Sequence, residues 1–205
     1  EPLADPACLN VYYISKVARK YGIKVLLSGA GGDDLFSGYR RHLAVNNEKL
    51  WNWLPYPLKY LIHKSSDFLP SQFQISRRVK KIFSGVHLDK EERLVNYFSW
   101  IDQTVLNDLF TPSVKKELEI YKVNEPIKKF LNALPSNLND VEKILALEQR
   151  FFLSDHNLIY TDKMSMKAGV EVRVPFLDRE LVNFAANIPT KYKIKGFDTK
   201  WILKK

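Results

Sequence analysis

The stretch from residue 23 to residue 39 constrains the fold most, because a short apolar run there breaks directly into glycines and acids. Val25, Leu26 and Leu27 are too few for a helix and apolar on both faces, which predicts a buried strand of a parallel sheet. After Ser28 come three glycines and two aspartates: Gly29, Gly31, Gly32, Asp33 and Asp34. Open α/β sheets bind their ligands at such a turn, beyond the carboxyl end of a strand. Backbone N–H groups beside carboxylates indicate phosphate bound together with Mg²⁺.

On spacing alone a structural interpretation stays open, in which the glycines connect a strand to a helix and the two aspartates cap that helix. Three better-known motifs are excluded. Asp34 stands where the dinucleotide fingerprint needs its third glycine, and the Gly-Lys-Ser or Gly-Lys-Thr end of a Walker phosphate loop is absent. Ser28 lies between Leu27 and Gly29, so it does not match the Gly-x-Ser-x-Gly nucleophile elbow.

Composition predicts one domain with a real core, since 45% of the 205 residues are hydrophobic. The single cysteine, Cys8, cannot form an intrachain disulfide, and no Cys/His spacing resembles a zinc site, so we expect a reducing cytoplasm. No uncharged apolar run reaches the roughly 18 residues that a membrane span needs, and no signal peptide is visible. We therefore expect a cytoplasmic protein with no membrane partner.

The formal net charge of +9 makes a nucleic-acid-binding module an alternative, but the basic residues are spread along the chain. One cluster, at 77–81, falls in a helical pattern and is typical of a solvated face. A second cluster could help to hold polyphosphate: Lys191, Lys193, Lys195, Lys200, Lys204 and Lys205. Only net charge supports the alternative, so we expect no nucleic-acid partner.

The order of elements predicts part of a parallel α/β sheet followed by a helical region. A helix is expected after Pro6, with Gly22 as its C-terminal stop, and then come the strand and a further helix. Further helices are expected at about 40–53, 57–65, 71–84, 90–100, 103–109, 112–121, 125–133 and 139–153. Asp178 is expected to cap a helix at 179–187, and 199–205 also has a helical pattern. Both ends look cut, so we expect a fragment.

Three stretches together resemble one family. LSGAGGDDLFSGY, at 27–39, is similar to the second signature of the synthetase domain of glutamine-hydrolysing asparagine synthetases, which is usually close to LSG(D/E)G(S/G)DELFGGY. Residues 162–178 resemble the family's (D/N)(R/K)xSMxxxxExRxPFLD signature. KGFDTKWILK, at 195–204, resembles its end signature, Gly-x-x-x-Lys-x-x-Leu-(Arg/Lys). The three stretches occur in family order.

The resemblance implies the C-terminal synthetase domain of an ATP-pyrophosphatase-type amidotransferase. The implied fold is α/β and adenine nucleotide alpha hydrolase-like, a partial parallel sheet with many helices. Its expected parts are a strand and nucleotide loop at 1–40, a helical region at 41–154, and a substrate and pyrophosphate side at 155–205. The implied enzyme is a ligase that adenylates a carboxylate with MgATP, aspartate in the type reaction. It releases pyrophosphate, and ammonia from glutamine then displaces AMP.

The resemblance also implies roles for single residues. Lys200 is the catalytic lysine that contacts departing pyrophosphate, and Asp33 is the Mg²⁺ ligand. ATP would be bound by Ser28, Gly29, Gly31 and Gly32. The substrate or intermediate side comprises Ala30, Asp34, Lys163, Glu171 and Arg173. Asp34 replaces the family's glutamate, so orienting the loop is its alternative role.

Structural alternatives accompany several of these residues. Glu171 and Arg173 share a face in an extended chain, and Arg173 could instead pair with a buried carboxylate that pins the segment. His156 is expected to be a satisfied structural histidine. Lys200, on the first turn of an amphipathic helix, would ordinarily be a surface lysine.

Two positions depart from the family pattern. Ala30 stands where asparagine-forming members have an acid, and Tyr160 stands where relatives often have lysine or arginine. One alternative is therefore amidation of another carboxylate, on a sugar or a secondary metabolite, and another is a non-catalytic nucleotide-binding relative. The family's pyrophosphate loop and its N-terminal glutaminase domain would precede this chain, so we expect these 205 residues to be inactive in isolation.

Overall fold

The computed structural model describes residues 5–68, 70, 72, 73, 76, 77, 80, 83, 85–98, 103–118 and 124–205. The chain divides into two compact units, one from Glu1–Leu43 with Ile144–Lys205 and the other from Ala44–Lys143. The described residues are mostly helical with small sheets, as the sequence predicts. None of their helices is both long and apolar enough to cross a membrane. The three-part division at 40 and 154 stays a prediction.

The first unit begins with helix α1, Ala7–Lys20, and this confirms the helix that was expected after Pro6. Gly22 ends it with a φ of 78°, a left-handed conformation that favours glycine. Its backbone N–H donates to the carbonyl of Arg19 at 3.0 Å, and the next N–H, of Ile23, donates to Ala18 at 3.0 Å. These bonds satisfy terminal carbonyls and turn the chain into the strand.

Strand β1, Val25–Leu27, pairs in parallel with strand β2, Glu171–Arg173, so the parallel sheet is confirmed. The register places Val25 opposite Glu171 and Leu27 opposite Arg173. The expectation of a buried strand is wrong for this chain, because Val25 is 39% exposed and Leu27 is 74% exposed. Within the described residues β1 has one strand neighbour, and little covers its apolar faces.

A small hydrophobic core anchors the helix that follows the glycine turn. Helix α2, Gly32–Phe36, follows the turn, and it buries Leu35 and Phe36 against Ala185 and Ile188. These two belong to or adjoin the helix Arg179–Asn187, whose N-cap is Asp178. One carboxylate oxygen of Asp178 accepts from the N–H groups of Glu180, at 3.0 Å, and Leu181, at 3.2 Å. The predicted cap is therefore confirmed, and Phe176 and Leu177 of the preceding 3₁₀ helix, Pro175–Leu177, pack on the same core.

One helical run leads into the beginning of the 162–178 stretch. It consists of α-helix Asp140–Leu147, π-helix Glu148–Leu158 and α-helix Ile159–Lys167. The sequence predicts a helix that stops at about 153, whereas the structure continues it to Lys167. A π-helix widens the backbone, and such segments occur frequently at functional sites.

The C-terminal segment corrects a predicted helix. Helix Thr190–Lys193 leads into strand Ile194–Lys195, which pairs antiparallel with strand Asp198–Thr199. Gly196 starts the two-residue turn with a φ of 60°, as tight hairpins require. Lys200 has a φ of 50° and is followed by a short 3₁₀ helix, Trp201–Lys204, so it does not lie on an α-helix.

The second unit is helical where it is described. Its elements and those that reach into it have these bounds: Arg40–Asn47, 3₁₀ Glu48–Leu50, Tyr56–Asp67, Lys90–Phe98, Gln103–Asp108, Pro112–Leu118 and Glu125–Ala133. They confirm the predicted helices except the one at 71–84, most of which lies outside the described residues. Glu48 lies at the centre of a polar cluster, because it accepts from the Tyr97 hydroxyl at 3.0 Å and pairs with Arg93 at 3.5 Å.

Candidate functional site

The glycine turn leaves the carboxyl end of β1 with its backbone tied to β2. The N–H of Ser28 donates to the carbonyl of Arg173 at 2.8 Å, which carries the parallel pairing one residue beyond the strand. The Ser28 hydroxyl accepts from the N–H of Ala30 at 3.2 Å, and the carbonyl of Gly29 accepts from Gly32 at 3.1 Å. Hydrogen bonds within the turn therefore hold its backbone in this conformation.

The glycines of the turn serve different ends. Gly31 has a φ of 89°, and a Cβ there would overlap the side chain of Leu177, so packing alone requires glycine. At Gly29 a Cβ would meet no described atom within 4 Å. The space beside Gly29 is thus open to a ligand, whereas Gly31 is explained by the fold without one.

Asp33 faces solvent and pairs with Lys200. Lys200 Nζ lies 2.9 Å from Asp33 Oδ1, and the two side chains are 36% and 40% exposed. We call them the outer pair. A Cβ on Gly38 would overlap the Asp33 carboxylate, so that glycine lets the carboxylate lie against the backbone. The tertiary structure joins two residues that the sequence placed in separate signatures.

Asp34 lies in the interior, although it is the next residue in the chain. It is 1% exposed, and the Tyr39 hydroxyl lies 3.5 Å from each of its carboxylate oxygens. Burial, followed by the nearby charge of Glu148, raises the pKa of Asp34 to about 6. Its position agrees with the alternative role of orienting the loop.

A group of four side chains lies behind Asp34, and we call it the buried support: Tyr39, Arg41, His42 and Glu148. Arg41 forks onto Glu148, with Nε donating to Oε1 and Nη2 donating to Oε2 at 2.6 Å. His42 Nε2 lies 3.1 Å from Glu148 Oε1, and burial lowers the pKa of this histidine. Since a carboxylate accepts, the neutral ring carries its proton on Nε2. None of the four was singled out from the sequence, although glutamate inside a strongly apolar helix pattern was a usable signal.

The other substrate-side residues are more exposed. Arg173 Nε donates to Glu171 Oε1 at 2.7 Å, with side chains 63% and 54% exposed, so the shared face is confirmed. The alternative partner for Arg173, a buried carboxylate, is wrong because Glu171 faces solvent. Lys163 is exposed on the helix Ile159–Lys167. No hydrogen bond or ion pair among the described residues joins it to the glycine turn.

His156 has a charged partner, which fits the expected structural histidine. Its Nε2 lies 2.9 Å from Asp5 Oδ2, and its ring stacks on Phe152 and meets Tyr160 edge on, each at 5.2 Å between centroids. The backbone N–H of Ala7 and then His156 lower the pKa of Asp5. Tyr160 therefore belongs to an aromatic row on one helical face, in place of a cation.

The side chains near the glycine turn suit a Mg²⁺ site in which nucleotide phosphates supply part of the ligands better than a site made of protein ligands alone. Within the described residues, no group of three or more histidine, cysteine, aspartate or glutamate side chains could hold a metal ion. Mg²⁺ in nucleotide sites is bound by one or two carboxylates, with phosphates and water as the remaining ligands. The exposed carboxylate of Asp33 fits that pattern.

Comparison with known proteins decides the family. The sequence model described as asparagine synthase matches residues 1–205. The chain belongs to the asparagine synthase family. Asparagine synthetase (glutamine-hydrolyzing) 1 of Bacillus subtilis (strain 168) is 29% identical over 209 residues, which cover 100% of this chain and 31% of the relative. A putative asparagine synthetase (glutamine-hydrolyzing) of Mycobacterium tuberculosis (strain ATCC 25618 / H37Rv) is also 29% identical, over 205 residues that cover 100% of this chain and 30% of the relative.

A more distant relative carries a different name. Amidase chyE of Penicillium rubens is 24% identical over 224 residues, which cover 99% of this chain and 32% of the relative. This chain therefore spans about a third or less of the curated relatives it matches. No solved structure gives a significant match.

Proposed function

We propose that the full-length protein is an ATP-dependent amidotransferase that adenylates a carboxylate, releases pyrophosphate and uses ammonia from glutamine to displace AMP. The observation that carries the proposal is the outer pair, a lysine and a carboxylate 2.9 Å apart beside an open glycine turn. Family membership and relatives named glutamine-hydrolyzing asparagine synthetases support it. The synthetase fold would be adenine nucleotide alpha hydrolase-like, and the protein cytoplasmic.

The chemistry explains why these residue types meet. A carboxylate has no good leaving group, so it attacks the α-phosphate of ATP, its oxygen bonds to phosphorus, and the bond to pyrophosphate breaks. Negative charge builds on the departing pyrophosphate, and the ammonium of Lys200 would stabilise it. Asp33 would bind Mg²⁺, which when present neutralises phosphate charge. Lys200 and Asp33 are both partly exposed, so both can turn from each other toward a ligand.

The glycine turn would bind the nucleotide. Ser28 would contact ATP through its hydroxyl, and Gly29 through its backbone, where the space is open. Gly31 and Gly32 would shape the wall on which the nucleotide rests, held by packing on Leu177 and Phe176. ATP would then lie at the carboxyl end of β1, where parallel sheets place their ligands.

The acceptor is the second part of the proposal. Aspartate is the acceptor in the type reaction, and Lys163, Glu171 and Arg173 would face it. Ala30 and the aromatic row at Tyr160 favour a second candidate, a different carboxylate on a sugar or a secondary metabolite. The relative named Amidase chyE, aligned over 99% of this chain, supports functional variety in this sequence group. A glutaminase domain of the same full-length chain would supply ammonia.

The test is exchange of labelled pyrophosphate into ATP by the full-length protein, with Mg²⁺ and a panel of carboxylates. We expect exchange that depends on one carboxylate, followed by glutamine-dependent amide formation from the same compound. Aspartate as the best acceptor would remove the second candidate. Tight MgATP binding without exchange on any acceptor would favour a non-catalytic relative and contradict the proposal.

A parallel assay examines the nucleic-acid alternative. We expect no RNA or DNA binding at low salt, where phosphate contacts are strongest. The 205-residue chain alone is expected to show no exchange, because the family's pyrophosphate loop would lie outside it. Exchange by these residues in isolation would show that the outer pair and the glycine turn suffice.

A further inference from the structure

We propose that Glu148 is a positioning residue of the adenylation site, which holds Asp34 and the glycine turn in place through Arg41 and Tyr39. The inference rests on the proposed function, because it assigns a supporting residue to the same site. Glu148 lies outside the three sequence stretches that resemble family signatures. Its role follows from a chain of contacts that runs from the π-helix to the turn.

Glu148 is built into the interior as an acceptor of several hydrogen bonds. It is 0% exposed and begins the π-helix Glu148–Leu158. Its two oxygens accept hydrogen bonds from Nε and Nη2 of the Arg41 guanidinium, and Oε1 also accepts from His42 Nε2 at 3.1 Å. A buried carboxylate with this many donors has a single geometry, since moving it would break bonds that no water can replace.

Both partners of Glu148 pack on the ring of Tyr39. The Arg41 guanidinium lies 4.7 Å from the Tyr39 centroid and 4.7 Å from the Phe152 centroid. The His42 ring meets Tyr39 edge on, with centroids 5.4 Å apart. Because the fork is planar and rigid, a displaced Glu148 carboxylate would displace the guanidinium from these rings.

Tyr39 connects these packed side chains to Asp34. Its hydroxyl lies 3.5 Å from both oxygens of Asp34 and accepts from Asn157 Nδ2 at 3.4 Å. Asn157 belongs to the same π-helix as Glu148, so one segment holds Tyr39 at its ring and at its hydroxyl. Asp34 in turn adjoins Asp33 of the outer pair. Small shifts of Glu148 should therefore reach the residues that would bind nucleotide.

A double-mutant cycle in the full-length protein tests this route. Tyr39→Phe keeps the ring and removes the hydroxyl. Glu148→Asp keeps the charge but shortens the acidic side chain by one methylene, which moves the carboxylate away from Arg41. We expect each change to lower the rate constant of pyrophosphate exchange by about 10-fold, with little change in the KM for ATP. If Glu148 acts through Tyr39, the double variant should also lose about 10-fold rather than about 100-fold. Multiplied losses would overturn the proposal.

A matched control separates positioning from general loss of stability. Glu48→Asp shortens another buried carboxylate that has an arginine and a tyrosine as partners, in the second unit. We expect it to lower the melting temperature, by less than Glu148→Asp does, while exchange stays within about 2-fold. An equal loss of exchange in both variants would mean that Glu148 is merely structural.

A readout without turnover keeps the inference separate from the proposed function. Backbone hydrogen exchange of the peptide that covers 28–39 should rise by about 10-fold in Glu148→Asp and no further in the double variant. Wild-type protein without pyrophosphate exchange would contradict the proposed function while this measurement still decides the route. Unchanged protection of 28–39 in Glu148→Asp would overturn the proposal that Glu148 positions the glycine turn.

Discussion

Asp33 and Asp34 are neighbours in the chain, yet they belong to two regions with opposite physical character. The outer pair, Asp33 and Lys200, keeps its charges partly exposed. The buried support holds Asp34 in a nearly dry interior, where Glu148 is 0% exposed. Exposed pairs add little to stability, whereas a buried carboxylate is strongly destabilising once its partner is lost. We infer that the outer pair is available for ligand chemistry and that the buried support keeps the turn rigid.

The largest effect should come from breaking the buried support. Glu148→Ala leaves the Arg41 guanidinium without its carboxylate in the interior, so the free energy of unfolding should fall by about 3–5 kcal/mol. Urea titration of the chain measures it. Glu48→Ala should cost less, because the Glu48 side chain is already 11% exposed whereas that of Glu148 is 0% exposed, and its ion pair with Arg93 is long, at 3.5 Å. Equal costs would mean that burial does not distinguish the two clusters.

Breaking the outer pair should have the next largest effect, and on catalysis rather than stability. Lys200→Ala should lower pyrophosphate exchange by the full-length protein by about 10²–10³-fold, since a fixed cation on the leaving group is lost. Its free energy of unfolding should change by less than about 1 kcal/mol. Lys20→Ala, at an exposed lysine in the last turn of α1, is the control and should keep full activity. A stable Lys200→Ala variant with normal exchange would refute the assignment.

The two turn glycines should separate packing from ligand binding. Gly31→Ala forces a methyl group into Leu177 at a positive φ, and should destabilise the chain by about 1–3 kcal/mol. Gly29→Ala meets no described atom, so the chain should fold normally while the KM for ATP rises. Thermal unfolding and exchange kinetics of both variants give the comparison. Gly29→Ala with unchanged ATP affinity would show that the open space is not the nucleotide site.

The pKa of Asp34 predicts that the stability of the chain depends on pH. Because its pKa is raised from 3.8 to about 6, the folded state holds this proton more tightly than the unfolded state. Its contribution to stability is complete below about pH 4 and is lost as the pH rises through about 6. Asp34→Asn should flatten that part of the stability curve. Urea titrations at several pH values check this, and an unchanged slope would argue against a buried, protonatable Asp34.

The smallest effect is expected at the exposed pair on β2. Arg173→Ala should leave the free energy of unfolding almost unchanged, because both partners face solvent. Glu171→Gln, which removes the charge of the partner, is the matched control variant. A large loss of acceptor-dependent exchange in a variant of normal stability would support a substrate role for Arg173. Normal exchange would leave the pair with its structural role on the strand.

Local signals explain which parts of the fold were predictable. Gly22 ends the first helix, Asp178 caps a later one, and an apolar triplet before glycine marks β1, because each depends on neighbouring residues only. The predicted helix at the C-terminus was wrong because Gly196 permits a hairpin and Lys200 adopts a positive φ. Helical periodicity at 199–205 does not encode that turn.

By itself, the sequence determined the family, the glycine turn and the candidate residues Ser28, Gly29, Asp33 and Lys200, since these lie in short contiguous patterns. Only the tertiary structure decided that Lys200 meets Asp33, and that Asp34 turns inward. Asp34 lies beside the Tyr39 hydroxyl, which accepts from Asn157. Glu148 binds Arg41 and His42 next to the Tyr39 ring, and one helical run brings both Glu148 and Asn157 there from far along the chain. Desolvation and packing by such distant residues decide which of two adjacent aspartates is exposed, and no local pattern records them.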